Sequence, residues 1–328
     1  MANIEHCARS LHYLERGSGM PLLLIHGLGS SGADWALQVS ALEGRFRVIV
    51  PDLPGCGHSG NLPYGCSIAD FAASLWALLD QLVISSPNIV GYSLGGAVAL
   101  EMALQRPDDV PRLGLINSLA SYRLDTWKRW LEARIPAVLI HFFGMRMLGR
   151  LGAARMFPHP WQLALRERAA TVIGEGVPES YTEIIAALVR WSAMERLKRL
   201  RSRVLIIAAE HDLTPLWQKH NLALELGAAI AVIRGSRHGT PFDAVEATNA
   251  CIVALLSDEP PPCADRLTCD KPQSMHPLEF AGSLAAQHAL GPSKIIALMA
   301  PWQYPQPATA RPGPLSGTQV LDDKSARR

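Results

Sequence analysis

A serine framed by glycines, between a strand-like run and a helix-like run, is the place where this chain first suggests chemistry. Residues 87–100 read Pro-Asn-Ile-Val-Gly-Tyr-Ser-Leu-Gly-Gly-Ala-Val-Ala-Leu. Asn88-Ile89-Val90 predicts a strand, and Ala97 to Leu104 predicts a helix. Reversing from strand to helix in so few residues strains the backbone at Ser93 and lifts its hydroxyl clear, over a helix N-terminus with unpaired N–H groups. The glycines at 91 and 95 leave room for strand and helix to approach. Such a hydroxyl can attack a carbonyl once a base removes its proton. The candidate base is His238, in Arg237-His238-Gly239, and the candidate acid that orients it is Asp212, in Glu210-His211-Asp212. The backbone N–H groups of Leu94 and Leu28 are the candidate donors to the resulting oxyanion.

These residues are 119 to 210 positions apart in part, so a scaffold has to gather them. Ser10 to Glu15 alternates polar and apolar and predicts an early strand. Pro21 to Ile25, Phe46 to Val50, Leu113 to Asn117, Val204 to Ala209 and Ala229 to Ile233 are apolar runs suited to strands buried on both faces. Helical spacing lies between them, over about 34–42, 71–83, 215–226 and 242–256. Strand and helix alternating from Leu22 to Leu256 predict a mostly parallel sheet covered on both faces. Chemistry in such sheets gathers beyond the carboxyl ends of the strands, where His26, Ser93, Asp212 and His238 all fall. His26 is expected to brace its glycine-rich loop, Asp52 and His58 to shape theirs, and His211 and His220 to lie in loops or at the surface. Asp243 is a rival acid, set inside the last helix.

Residues 118–195 break the alternation. They have helical apolar spacing and no convincing strand, and predict a helical insertion. Its arginines (Arg129, Arg134, Arg146, Arg150, Arg155) could meet an anionic substrate or a membrane surface; solvated faces of ordinary helices are the expectation. Residues 258–328 turn proline-rich and predict a largely disordered extension. Across the 328 residues, 48% are hydrophobic and 18% charged, as in a globular protein with a large core. A net charge of +2 gives no reason to expect nucleic acid as a partner. No run approaches the roughly 20 apolar residues of a membrane span, and the first residues carry no apolar leader. The six cysteines are scattered without C-x-x-C pairs, which indicates neither zinc nor a disulfide framework and makes the cytoplasm the expected compartment.

Taken together, the motifs resemble those of the α/β-hydrolases. His26-Gly27-Leu28-Gly29 matches the family's His-Gly-x-Gly loop, Asp52 to Ser59 its Asp-x-Pro-Gly-x-Gly-x-Ser loop, and Gly91 to Gly95 its nucleophile elbow. The resemblance runs from His12 to about Leu256. It implies an eight-stranded, mostly parallel sheet formed by residues 1–117 and 196–257, with residues 118–195 as a lid inserted after the sixth strand. It also implies a Ser93–His238–Asp212 triad, with Leu28 and Leu94 as oxyanion donors and no cofactor or metal. A serine at the elbow sets aside the branches that use aspartate there. Hydrolysis of carboxylic esters with short to medium apolar acyl chains is the expected activity, with a small-molecule ester as the partner. Carbon–carbon hydrolysis, enol-lactone opening and peracid formation are the alternatives within the fold. A ligand-binding receptor with little turnover is the alternative outside enzymes.

Overall fold

The structure of the protein, a computed structural model, describes residues 11–60, 62–123, 127–262 and 267–268, apart from the side chains of 127–133. The apolar runs form β1 (Tyr13–Arg16), β2 (Met20–Ile25), β3 (Phe46–Pro51), β4 (Asn88–Tyr92), β5 (Arg112–Ile116), β6 (Arg203–Ala209) and β7 (Ala229–Ile233). They make one sheet in the order β1-β3-β2-β4-β5-β6-β7. β1 pairs antiparallel with β3, and the other pairs are parallel. β4, which leads into Ser93, is the central strand.

The two-residue period of the strands divides the core into two layers. Leu23, Ile25, Ile89, Leu113 and Ile206 face one side, packed with helices α2 (Ile68–Gln81) and α3 (Leu94–Gln105). Leu22, Leu24, Val90, Ile116 and Leu205 face the other, packed with α1 (Ala36–Leu42) and the C-terminal helix Val245–Leu256. Burial on both faces is what made these strands read as continuous apolar runs rather than as alternating ones. Ser67 starts α2 with a capping box: its hydroxyl accepts from the Asp70 N–H, and Asp70 accepts from the Ser67 N–H.

The sheet has seven strands among the described residues, not eight, and the helical segment follows the fifth strand rather than the sixth. The alternating stretch before the Gly17–Gly19 turn supplies only the four-residue edge strand β1, whose partner is β3. The expected helix over 34–42 begins as a 3-10 turn, Gly32–Trp35, and the one over 242–256 is split. Ala244, at φ −143°, separates the short Thr240–Asp243 turn from Val245–Leu256.

Between β5 and β6 lie α4 (Trp127–Met156), α5 (Leu163–Gly174) and α6 (Pro178–Arg190). α4 is interrupted at Gly144, whose φ of 73° and ψ of 174° no helix contains. This segment leaves and re-enters the core across a narrow neck. Ser121 bridges Ser192, and the Ala193 N–H donates to the Ala120 carbonyl at 2.7 Å. Just beyond the neck, Glu101 of α3 accepts two hydrogen bonds from Arg196 and one from the Trp191 indole. Burial works against the Glu101 charge, but Arg196 and Trp191 outweigh it and keep the carboxyl below its ordinary pKa.

Most of the expected disordered extension lies outside the described residues. Its described part packs on the core: Leu267 is buried, its carbonyl accepts from the Arg234 N–H at 2.8 Å, and Asp258 pairs with Arg112 and Arg203.

The turn after β4 has almost no spare room. A Cβ on Gly95 would stand 2.2 Å from the Ile25 carbonyl oxygen, and one on Gly91 would stand 2.1 Å from the Gly95 carbonyl oxygen. Backbone on both sides cannot move aside as a flexible side chain would. Gly95→Ala is expected to lower stability by about 3 kcal/mol, the upper part of the overpacking range, read as a fall in the urea midpoint. An unchanged midpoint would show that β2 and α3 can separate at no cost.

Candidate active site

Ser93 sits between β4 and α3 at φ 54° and ψ −115°, a strained conformation for a residue with a Cβ. The strain is held from two sides. The Ser93 N–H donates to the Ile116 carbonyl at 2.8 Å, and the Ser118 hydroxyl donates to the Ser93 carbonyl at 2.8 Å. Leu94 opens α3, so its N–H belongs to the first turn, where donors have no acceptor within the helix. Leu28 and Ser93 both line one cavity.

The loop after β7 brings His238 to the serine. Its Nε2 lies 2.9 Å from Ser93 Oγ, and its Nδ1 lies 2.5 Å from Asp212 Oδ1. The three side chains therefore form one hydrogen-bonded line, joining residues 145 and 26 positions apart. Such a line can pass a proton from a hydroxyl to an imidazole, with a carboxylate steadying the cation that results.

The Asp212 carboxylate is wholly buried. Oδ1 also accepts from the Leu213 N–H at 2.7 Å, and Oδ2 accepts from the Thr214 hydroxyl at 2.5 Å. Oδ2 has a further partner, the ammonium of Lys219, which is itself fully buried and donates to the Thr214 carbonyl at 3.1 Å. Burial alone would raise the Asp212 pKa. His238, through its hydrogen bond and charge, and then Lys219 override burial and hold the carboxyl well below the usual carboxylate range. Burial pushes the Lys219 ammonium below its ordinary value, with Asp212 opposing that shift. A depressed carboxyl adds stability above its unfolded pKa, ordinarily 3.8, and that contribution drains as the pH falls below it.

Asn117, just past β5, ties the end of β6 to the loop that carries His238. It is fully buried and has a left-handed φ of 48°, which asparagine tolerates better than most residues. Its Oδ1 accepts from the Ala209 N–H at 2.7 Å, at the end of β6, the strand that leads to Asp212. Its Nδ2 donates to the His238 carbonyl at 2.9 Å and to the Thr240 hydroxyl at 2.7 Å. Its own N–H donates to the Ile207 carbonyl at 2.9 Å.

The other sequence candidates have different work. His26 is buried; its Nδ1 meets the Gly27 carbonyl at 2.8 Å, and its Nε2 accepts from the Leu53 N–H at 3.0 Å. Burial pushes its pKa down, with Asp52 and the Gly27 carbonyl opposing. Asp52 ties loops together, accepting from the N–H groups of Gly32 and His58. Asp243 is buried and accepts from Ser236 and Gln162, away from the His238 ring. His211 and His220 are exposed. Sequence reading missed Lys219 and the reach of Asn117. A lysine inside an otherwise helical run and an asparagine ending a strand carried no local mark of burial. The one available signal was the position of Lys219 seven residues after Asp212, near the start of the helix that follows the acid's loop.

The cavity in front of Ser93 measures about 290 Å³. Its far wall comes from the inserted helices, including Met156, Leu165, Val172 and Ile173. Arg168 of that wall pairs with Asp34 at 3.2 Å, which neutralises both charges close to the serine.

The fold agrees with the comparisons to known proteins. Residues 20–156 match the family described as alpha/beta hydrolase fold. RutD from Caulobacter sp. (strain K31), named as a carbamate hydrolase, is 30% identical over 247 residues, 73% of this chain and 91% of that protein. The chain belongs to the alpha/beta-hydrolase fold family. A pimeloyl-[acyl-carrier protein] methyl ester esterase of Vibrio vulnificus (strain YJ016) is 38% identical over 128 residues, 38% of this chain and 47% of that protein. Among solved structures, the enol-lactonase from Burkholderia xenovorans LB400 superposes with a TM-score of 0.69 at 25% identity, over 75% of this chain and 96% of that one.

Two variants probe the gathering of the site. Asn117→Ala leaves the Ala209 N–H and the His238 carbonyl without their partner, at about 1–3 kcal/mol for each buried group. A fall in both melting temperature and turnover is expected, and an unchanged turnover would free the histidine loop from this residue. Lys219→Met removes the cation that shares Asp212 with His238, so the carboxylate acts on the imidazolium alone. The melting temperature is then expected to fall more at neutral pH, where the carboxylate is charged, than in acid, where it becomes protonated. A uniform loss at every pH would mean that Lys219 acts only in packing.

Proposed function

We propose that the protein is a serine hydrolase that cleaves carboxylic esters of short to medium apolar acyl chains. One observation carries this reading: the hydrogen-bonded line Ser93–His238–Asp212 opens on an apolar cavity of about 290 Å³. In the proposed reaction, Ser93 Oγ attacks the acyl carbon as His238 Nε2 takes its proton. The imidazolium keeps its Nδ1–H bond to Asp212, and the oxyanion accepts from the N–H groups of Leu28 and Leu94. Collapse breaks the bond to the alkoxide, which leaves with the proton from His238. Water, deprotonated by the same imidazole, then releases the acid from the acyl-serine.

A volume near 290 Å³ lies at the small end of cavities that bind small molecules. That supports acyl chains shorter than those of storage lipids. Residues 118–195 act as the lid over this cavity in the proposal, and residues 1–117 and 196–257 as the hydrolase core. The neck at Ser121 and Ser192 and the cavity wall formed by α5 support this division. The similarity to RutD along most of its length favours a second reading, carbamate cleavage. It would use the same attack on a carbonyl, expel the alkoxide with the proton from His238, and release a carbamic acid when water cleaves the carbamoyl-serine.

Hydrolysis of p-nitrophenyl esters from acetate to dodecanoate, beside an aryl carbamate, tests both readings. Turnover is expected to peak at a short or medium chain and to fall by about four orders of magnitude or more in Ser93→Ala. Faster turnover of the carbamate than of any ester would move the assignment to the second reading. Activity surviving in Ser93→Ala would remove Ser93 as the nucleophile.

A further inference from the structure

The part of α4 after Gly144 buries one side and leaves the other open, and in the part before it no described side chain is buried. Met145, Leu148, Ala153 and the following Phe157 face inward and are buried. The outer side carries Ile135, Val138, Phe142, Phe143, Met147 and Leu151, each between 37% and 70% exposed. Ile135, Val138 and Phe142 follow a spacing of three and four, so they share one face before Gly144. Met147 and Leu151 do the same after it. Single exposed apolar residues need no explanation, but six large ones on one helix do.

Charge narrows what could cover them. Arg134, Arg146, Arg150 and Arg155 are exposed on the same helix, and residues 134–156 contain no aspartate or glutamate. An apolar face flanked only by arginines is the pattern of a helix lying in a membrane interface, its rings among the acyl chains and its guanidinium groups at anionic headgroups. Among the described residues no helix is long and apolar enough to cross a membrane, so contact would be at the surface. A second copy of the chain is a poor fit, because a two-fold contact would set these arginines against each other. Residues 258–328 are also a poor fit. They hold seven acidic and seven basic residues, so they bring no net negative charge to an arginine-rich face.

We propose that the outer face of α4 is a docking surface for an anionic lipid bilayer. The same helix supplies Gly152, Arg155 and Met156 to the cavity in front of Ser93. Docking would therefore set a segment that lines the cavity against the bilayer. If the hydrolase reading above is right, acyl substrates dissolved in the membrane would reach Ser93 from that side. The docking itself does not depend on that reading.

The test is co-flotation of the full chain with vesicles of phosphatidylcholine alone or with 30% phosphatidylglycerol. Binding is expected to the anionic vesicles and not to the neutral ones, and to be unchanged in Ser93→Ala, which separates docking from chemistry. Phe142→Ser with Phe143→Ser, and separately Arg146→Glu with Arg150→Glu, are each expected to weaken binding at least ten-fold. Circular dichroism and hydrolysis of a soluble ester should match the parent in both pairs, showing that the fold survives. Absence of binding to the anionic vesicles, or binding that neither pair weakens, would overturn the proposal. So would self-association lost in the Phe142, Phe143 variant, which would assign the face to a second copy. Binding that appears only after deletion of residues 269–328 would assign it to that segment instead.

Discussion

The site depends on a buried amide. Ser93, Asp212 and His238 follow three different strands, and their hydrogen-bonded line needs each loop placed to within a few tenths of an ångström. Asn117 supplies much of that placement from the end of β5, the strand between those that lead to the serine and the acid. Its carbonyl oxygen holds the Ala209 N–H on one side, and its amide holds the His238 carbonyl on the other. A buried amide with its donors and acceptor engaged is costly to displace, because each freed group would face a low dielectric without water. The left-handed backbone of Asn117 aims the side chain across the strand ends instead of into one core layer.

Electrostatics add a second constraint. Asp212 carries its charge in a site without water contact, and it does so because several donors share it: His238, Lys219, Thr214 and the Leu213 N–H. Two partners divide the work. His238 joins the carboxylate to Ser93, while Lys219, itself buried, adds a second hydrogen bond and a charge that help hold the carboxyl below its usual range. The arrangement trades some of the pull that Asp212 exerts on His238 for a carboxylate that stays charged in the interior.

The inserted helices are tied to the core at few but well-made points. Glu101 meets Arg196 and Trp191 beside the neck, Asp34 meets Arg168 beside the cavity, and Asp243 meets Gln162 below the histidine loop. These polar links fix where the helices sit, and the apolar inner side of α5 shapes the cavity. The outer side of α4 is left to solvent or to a partner. One segment is thus both anchored to the core and used to wall the cavity.

How much of this was legible depended on the range of the interactions. The strands, their burial on two faces and the tight turn at Ser93 rest on short-range sterics and on periodicity, which neighbouring residues determine. Ser93, Asp212 and His238 could be singled out as candidates because each is a reactive type beyond a strand end, and parallel sheets gather those ends. The number of strands was overstated because the family resemblance carried a count that local pattern did not support. Lys219 was passed over because its burial comes only from packing, and Asn117 because its partners are distant in sequence: it touches Ile207 at a separation of 90, Ala209 at 92 and His238 at 121. The arginines of α4 read as solvated charges in the sequence, and those whose side chains are described are exposed in the structure; which apolar residues beside them stay uncovered was not legible, since helical spacing alone does not say which side another helix will cover. By itself the sequence determined the elements and the reactive residue types. The tertiary structure alone decided which distant polar groups hold those residues together and which apolar face stays uncovered, because both depend on how the finished elements pack.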